Sequence, residues 1–221
     1  MAVSYNARLM RELKSDLFGT VWRGDEQGRE FVLRDTTGAR WWTRLLARRL
    51  CRREAQVLAR LDGLPGTPRL YVSSSRELRR EWIEGRPMQV ARPRNAAYFR
   101  AARILLCAMH RRGVAHNDLA KEPNWLVTPT GLPAIVDFQL ALVAPRRGRI
   151  FRALAREDLR HLLKHKRSYC PERLTVRERG ILARPAAHSR LWMATGKPVY
   201  TFVTRRLFGW ADREGAGDRR L

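Results

Sequence analysis

The spacing of apolar residues changes near residue 85, and this change restricts the fold more than any other feature of the chain. Upstream, short apolar runs alternate with turns. Phe18-Gly19-Thr20-Val21-Trp22-Arg23 reads as a strand, Gly24 to Gly28 as a turn, and Glu30-Phe31-Val32-Leu33-Arg34 as the next strand. Residues 44–61 instead carry a helical period. Leu46, Leu50, Glu54, Val57 and Leu61 recur every three or four positions, and Gly63-Leu64-Pro65-Gly66 ends the pattern. Two further strands, Arg69 to Ser73 and Leu78 to Ile83, close at Glu84-Gly85-Arg86-Pro87. Residues 14–84 thus read β-β-β-α-β-β. Downstream, residues 95–112 form a helix with Tyr98, Ala101, Ala102, Leu105, Leu106 and Met109 on one face. Short extended pieces follow around residues 113–115, 125–127 and 133–138, and from about residue 152 the pattern is helical. The expected class is α+β: a small β-sheet with one helix over residues 1–85, and a mainly helical part over 86–221.

Composition narrows the possible roles. Of 221 residues, 45 are Lys or Arg and 21 are Asp or Glu, a formal net charge of +24. At 44 % hydrophobic the chain is too apolar for a disordered polycation. Cys51, Cys107 and Cys170 lie too far apart for a disulfide framework or a zinc cluster. Neither an apolar signal core nor a membrane-spanning run is visible, so a soluble cytoplasmic protein, or one resting on a membrane, is expected. The positive surplus predicts a polyanionic partner: nucleotide phosphates, nucleic acid or anionic lipid. It is densest over residues 146–221, with 20 Lys or Arg against seven Asp or Glu.

The chemistry concentrates in His116-Asn117-Asp118-Leu119-Ala120-Lys121-Glu122-Pro123-Asn124, followed by Val136-Asp137-Phe138-Gln139. Phosphoryl transfer needs a fixed carboxylate to take the proton of a hydroxyl nucleophile. It also needs hard oxygen ligands for the Mg²⁺ that accompanies the phosphates. Asp118 suits the first task, and Asn124 and Asp137 the second. A strand over Trp125 to Thr128 and a turn at Pro129 to Gly131 would fold Asp137 back beside Asn124. Singly, each acid reads as a cap or a solvated charge; in this order they read as a site.

These two motifs resemble those of protein-kinase-like phosphotransferases, and the chain is most similar to the small bacterial lipopolysaccharide (Kdo/heptose) kinase and RIO-type serine/threonine kinase group. The resemblance covers about residues 14–165. It implies a two-lobed fold with a sheet-containing N-lobe and a helical C-lobe. It implies ATP and Mg²⁺ as cofactors, Asp118 as catalytic base, and Asn124 and Asp137 as Mg²⁺ ligands. His116 would brace the catalytic loop, and Lys121 would neutralise the γ-phosphate. Glu81 to Gly85 would be the hinge holding adenine, with Glu81 and Ile83 its contacts. Gly19 and Val21 would belong to the loop covering the phosphates. The acceptor would be a hydroxyl of a lipopolysaccharide core sugar or a protein Ser/Thr.

The match has departures. Arg34 stands where kinases carry the strand Lys, with Glu54 as its helix partner; Arg keeps the charge but not the shape. Only the last glycine of the phosphate loop is kept, Gly19, with Lys14 and Asp16 at the other two places, so Lys14 is a second candidate for the phosphates. Asn124 follows Asp118 by six residues rather than five, which requires a local bulge. Gln139 replaces Gly. These departures support an alternative, a catalytically impaired pseudokinase scaffolding a partner on a membrane. A third reading is an RNA-associated kinase-like protein. Asp158 reads either as a brace for the catalytic loop or as a helix-start acid. Residues 146–167 and Tyr200 to Trp210 interleave aromatic or aliphatic residues with cations. They read as helices packed on the larger lobe or as attachment to an anionic membrane.

Overall fold

The computed structural model describes residues 10–183, so Tyr200 to Trp210 and Gly196-Lys197 lie outside the described residues. The fold is α+β. The chain divides into two compact units, Met1–Leu162 and Leu163–Leu221. The turn at Glu84 to Pro87 lies inside the first.

In the first unit, β1 (Met10–Asp16), β2 (Gly19–Glu26), β3 (Arg29–Asp35), β4 (Leu70–Ser73) and β5 (Glu77–Glu81) form an antiparallel sheet in the order β1-β2-β3-β5-β4. Strand β2 runs to Glu26, past the turn expected from Gly24, and the reversal is confined to Gln27-Gly28, both at positive φ. That tight two-residue link matches the right-handed twist of the paired strands. Gly19 has φ +121°, and a Cβ there would lie 2.1 Å from the Asp35 carbonyl oxygen. The glycine is therefore demanded by the close approach of β2 to the end of β3.

Helix α1 (Arg44–Leu61) occupies the span its periodicity indicates. Its inner face is Ala47, Cys51, Ala55, Val57, Leu58 and Leu61, with Glu54 buried among them. Each fully buried Leu or Val contributes about 1.5–3 kcal/mol, so this apolar face anchors the helix and fixes where Glu54 points.

Beyond β5, β6 (Arg86–Pro87) pairs with β8 (Trp125–Val127), which pairs with β9 (Pro133–Ile135). Between them come α2 (Met88–Ala91), α3 (Ala96–Arg111) and β7 (Val114–Ala115). Asn95 caps α3, its side-chain oxygen accepting the Ala97 N–H at 2.8 Å. Tyr98 and Leu106 on the buried face of α3 are 3 % and 1 % exposed, and the Tyr98 hydroxyl donates to the Leu126 carbonyl at 3.1 Å. β10 (Leu142–Val143) returns to pair with β7. Helix α4 (Arg149–Tyr169) contains the boundary between the units. In the second unit, α5 (Val176–Ala183) carries Glu178, whose carboxylate accepts from Lys166 at 2.7 Å and from the Thr175 N–H at 2.9 Å. No helix among the described residues is long and apolar enough to cross a membrane.

Candidate active site

The loop after β7 is held from below by a buried acid. Asp158, in the middle of α4 and so not a helix-start residue, accepts the His116 N–H at 2.8 Å and the Asn117 N–H at 2.9 Å. Its Oδ2 also lies 3.0 Å from His110 Nε2. A carboxylate taking several donors replaces its lost hydration, which makes full burial tolerable. The chain then turns through Asn117 at φ +63°, the left-handed region that Asn enters more readily than most residues.

His116 ties this loop to the second motif. Its Nε2 donates to the Val136 carbonyl at 3.1 Å, and its ring packs on Phe138 with centroids 4.7 Å apart. Because a carbonyl only accepts, the proton sits on Nε2, and Nδ1 is buried without a hydrogen-bond partner. Burial pushes the His116 pKa below 6.5, against the opposing pull of Asp158, the Val136 bond, Asp137 and Asp118. The unfolded chain takes up a proton on this imidazole as pH falls through about 6.5, whereas the folded chain resists it. The unfolded state then binds more protons, so stability falls on acidification, by at most about 1.4 kcal/mol per pH unit. Urea unfolding above pH 7 and below pH 6 checks this: His116→Gln is expected to weaken the protein at the higher pH and to flatten the acid slope.

Asp118 and Asn124 meet directly. Asn124 Nδ2 donates to the Asp118 carbonyl at 2.9 Å and to its Oδ2 at 3.2 Å. Two acceptors on one side fix the amide orientation and leave Asn124 Oδ1 pointing elsewhere as a free acceptor. Lys121 Nζ lies 3.2 Å from the same Asp118 Oδ2. Between Asp118 and Asn124 the chain makes a 3-10 turn, Glu122–Asn124, with Pro123 near its start. Next, the Val136 N–H donates to the Asn124 carbonyl at 3.0 Å, one step beyond the Trp125–Ile135 pair of the β8–β9 ladder. The hairpin therefore sets the backbone of Asp137 beside that of Asn124.

Asp137 has φ +65°. Burial raises its pKa, but Arg34, a 2.7 Å hydrogen bond from Gln139 Nε2, Arg80 and His116 together hold it below 3.8. Any stability from this ionisation is present above pH 3.8 and is lost as pH falls through the depressed value. Gln139, which stands where the kinase pattern has Gly, thus orients the carboxylate through Oδ1.

Arg34 lies on β3 and Glu54 on α1, and the expected pair forms: Nε to Oε2 is 3.4 Å. Glu54 is fully buried and has a second partner that the sequence reading missed, Arg80 on β5, with Nε 3.2 Å from Oε1. Burying a lone carboxylate costs several kcal/mol; the two guanidiniums offset part of that as ion pairs, while neither Glu54 oxygen has a hydrogen-bond partner. Both contacts use Nε, and Arg34 also acts electrostatically on Asp137. Val21 pairs with Arg34 across β2–β3. Lys14 lies on exposed β1 and pairs with Asp16 at 3.3 Å.

At the end of β5, Glu81 closes the β4 edge: its N–H donates to the Arg69 carbonyl at 2.8 Å and its Oε2 accepts the Arg69 N–H at 3.1 Å. Trp82 donates to the Glu30 carbonyl at 3.2 Å. Ile83, the next residue, makes no backbone–backbone hydrogen bond among the described residues. Glu81 and Ile83 also line a cavity of about 330 Å³ with the Gly63 to Arg69 loop.

Asn124 Oδ1 and the Asp137 carboxylate are hard oxygen donors. They fit Mg²⁺, which keeps waters and phosphate oxygens in its shell and needs few protein ligands. No group of three or more His, Cys, Asp or Glu side chains suited to a metal occurs among the described residues. In comparisons with known proteins, no family model matches the chain and no curated protein matches it.

Proposed function

We propose that this protein is an ATP- and Mg²⁺-dependent phosphotransferase of the two-lobed, protein-kinase-like kind, acting on an alcohol. The observation that carries the reading is the Asp118–Asn124 hydrogen bond together with the ladder step that sets Asp137 beside Asn124. Three residues within one short stretch, Asp118, Asn124 and Asp137, supply a base and two metal ligands, the set that phosphoryl transfer needs. Asp118 takes the proton of the acceptor hydroxyl, and Asn124 orients it. Asn124 Oδ1 and Asp137 would hold Mg²⁺, which supplies charge neutralisation at the phosphates. Arg34, fixed by Glu54, contacts the nucleotide phosphates, and Lys121 neutralises the transferred group. The backbone groups of Ile83, two residues beyond Glu81 and without a backbone partner among the described residues, suit an adenine edge, while Gly19 and Val21 lie on the strand that would cover the nucleotide. The acceptor is a hydroxyl of a lipopolysaccharide core sugar or a protein Ser/Thr, reached from a cytoplasmic position.

One observation favours the second reading, a nucleotide-binding pseudokinase: Glu54 is shared by two arginines instead of holding one Lys. Calorimetric titration with ATP tests what both readings share. Binding is expected with Mg²⁺, and Asp137→Asn is expected to weaken it roughly tenfold or more. Failure of the unaltered protein to bind ATP in the presence of Mg²⁺ would overturn the proposal.

A further inference from the structure

The segment leading into α1 presents an apolar surface that the active site does not use. Trp41 is 79 % exposed, Trp42 46 %, Leu45 81 % and Leu46 48 %. Trp41 and Trp42 lie in the turn before α1, and Leu45 and Leu46 in its first turn. The two indoles pack edge-to-face on each other at 5.5 Å, and Arg40 lies 5.2 Å from the Trp42 ring. This loop is tethered: the Arg40 N–H and the Thr43 hydroxyl both donate to the Leu17 carbonyl. Four large apolar side chains are thus held outward at one place.

Their surroundings are cationic. Residues 36–61 contain seven Arg and a single acid, Glu54, which is buried and turned inward. Arg40, Arg44, Arg49, Arg52 and Arg53 are exposed. The first turn of α1 has no acid and no side-chain cap, so its positive pole is uncompensated. Indoles and aliphatic side chains rimmed by Arg match the layering of an anionic membrane face. Trp and Leu enter the headgroup–acyl boundary, and Arg meets the phosphates. A nucleic acid would use the rings and the arginines but offers nothing to Leu45 and Leu46.

We propose that Trp41 to Leu46 docks this protein on an anionic lipid surface, with Trp41, Trp42, Leu45 and Leu46 inserted and the neighbouring arginines on lipid phosphates. This does not rest on the phosphotransferase reading. The test is co-sedimentation of the full chain with phosphatidylcholine vesicles with and without phosphatidylglycerol. Binding is expected only with phosphatidylglycerol and is expected to weaken with added salt. The combined variant Trp41→Ala, Trp42→Ala, Leu45→Gln is expected to lose roughly tenfold or more of that partitioning, and Leu45→Gln alone a smaller share. Ile104→Gln, at an exposed apolar position elsewhere, should bind as the unaltered protein does. Unchanged binding by both patch variants, equal binding without phosphatidylglycerol, or an equal loss in Ile104→Gln overturns the proposal. Loss of RNA binding in the patch variants with vesicle binding intact also overturns it, and gives the patch to nucleic acid.

Discussion

On the phosphotransferase reading, Asp118→Asn is expected to cut phosphate transfer by about 10²- to 10⁴-fold while leaving ATP binding in place. The substitution keeps the shape of the side chain but removes the lone pair that takes the hydroxyl proton. It also sets an amide against Asn124 Nδ2 and Lys121 Nζ, which now approach Oδ2 at 3.2 Å each. A positioned general base contributes about 10²- to 10⁴-fold, so turnover should drop by that factor. The measurement is ATP consumption with Mg²⁺ and a panel of acceptors, sugar hydroxyls and protein Ser/Thr, beside a parallel binding titration. Equal turnover in both forms would remove Asp118 from the chemistry. Equal binding with no turnover in either would select the pseudokinase reading.

The second large effect is on stability. Asp158→Ala should cost about 3–5 kcal/mol, because it strips the acceptor from the buried N–H groups of His116 and Asn117 and from His110. Against a domain stability of about 5–15 kcal/mol, that loss is severe. Asp158→Asn keeps one acceptor but points an amide N–H at a backbone donor, so it should fall between the two. Denaturant midpoints at neutral pH check the order. A loss under about 1 kcal/mol for Asp158→Ala would mean that these bonds contribute little net free energy.

Much of the architecture was legible because it rests on local periodicity. Helix α1 begins and ends where the Leu46–Leu61 spacing places it, and the β8–β9 hairpin follows from its turn at Pro129 to Gly131. The pairing of Arg34 with Glu54 was legible through the resemblance, and it forms. What escaped depends on register and on partners distant in the chain. Arg79 and Arg80 are adjacent cations on a strand, a pattern that ordinarily marks solvent. Yet Arg79 stacks over Phe31 at 3.8 Å while Arg80 reaches Glu54 on the other side of the sheet. Only the pairing of Val32 with Arg80 decides that, and no local signal encodes it. Similarly, Glu157 and Asp158 are neighbours on a basic helix, and the choice of which one turns inward is made by His116, over forty residues away. Trp41 and Trp42 fail in the opposite sense: an aromatic pair ordinarily reads as core, and here it is surface.

The double hold on Glu54 also limits how α1 can behave over time. Moving the helix outward would part a buried carboxylate from two guanidiniums at once, at a cost of several kcal/mol. Each 1.4 kcal/mol of net cost lowers the population of a displaced state tenfold. Leu45 and Glu54 are separated by nine residues of continuous helix, about 13.5 Å at 1.5 Å per residue. Leu45 and Leu46 of the apolar patch therefore share one continuous helix with Glu54. A ligand that regulated this protein by displacing α1 would need a preference for the displaced state larger than that cost.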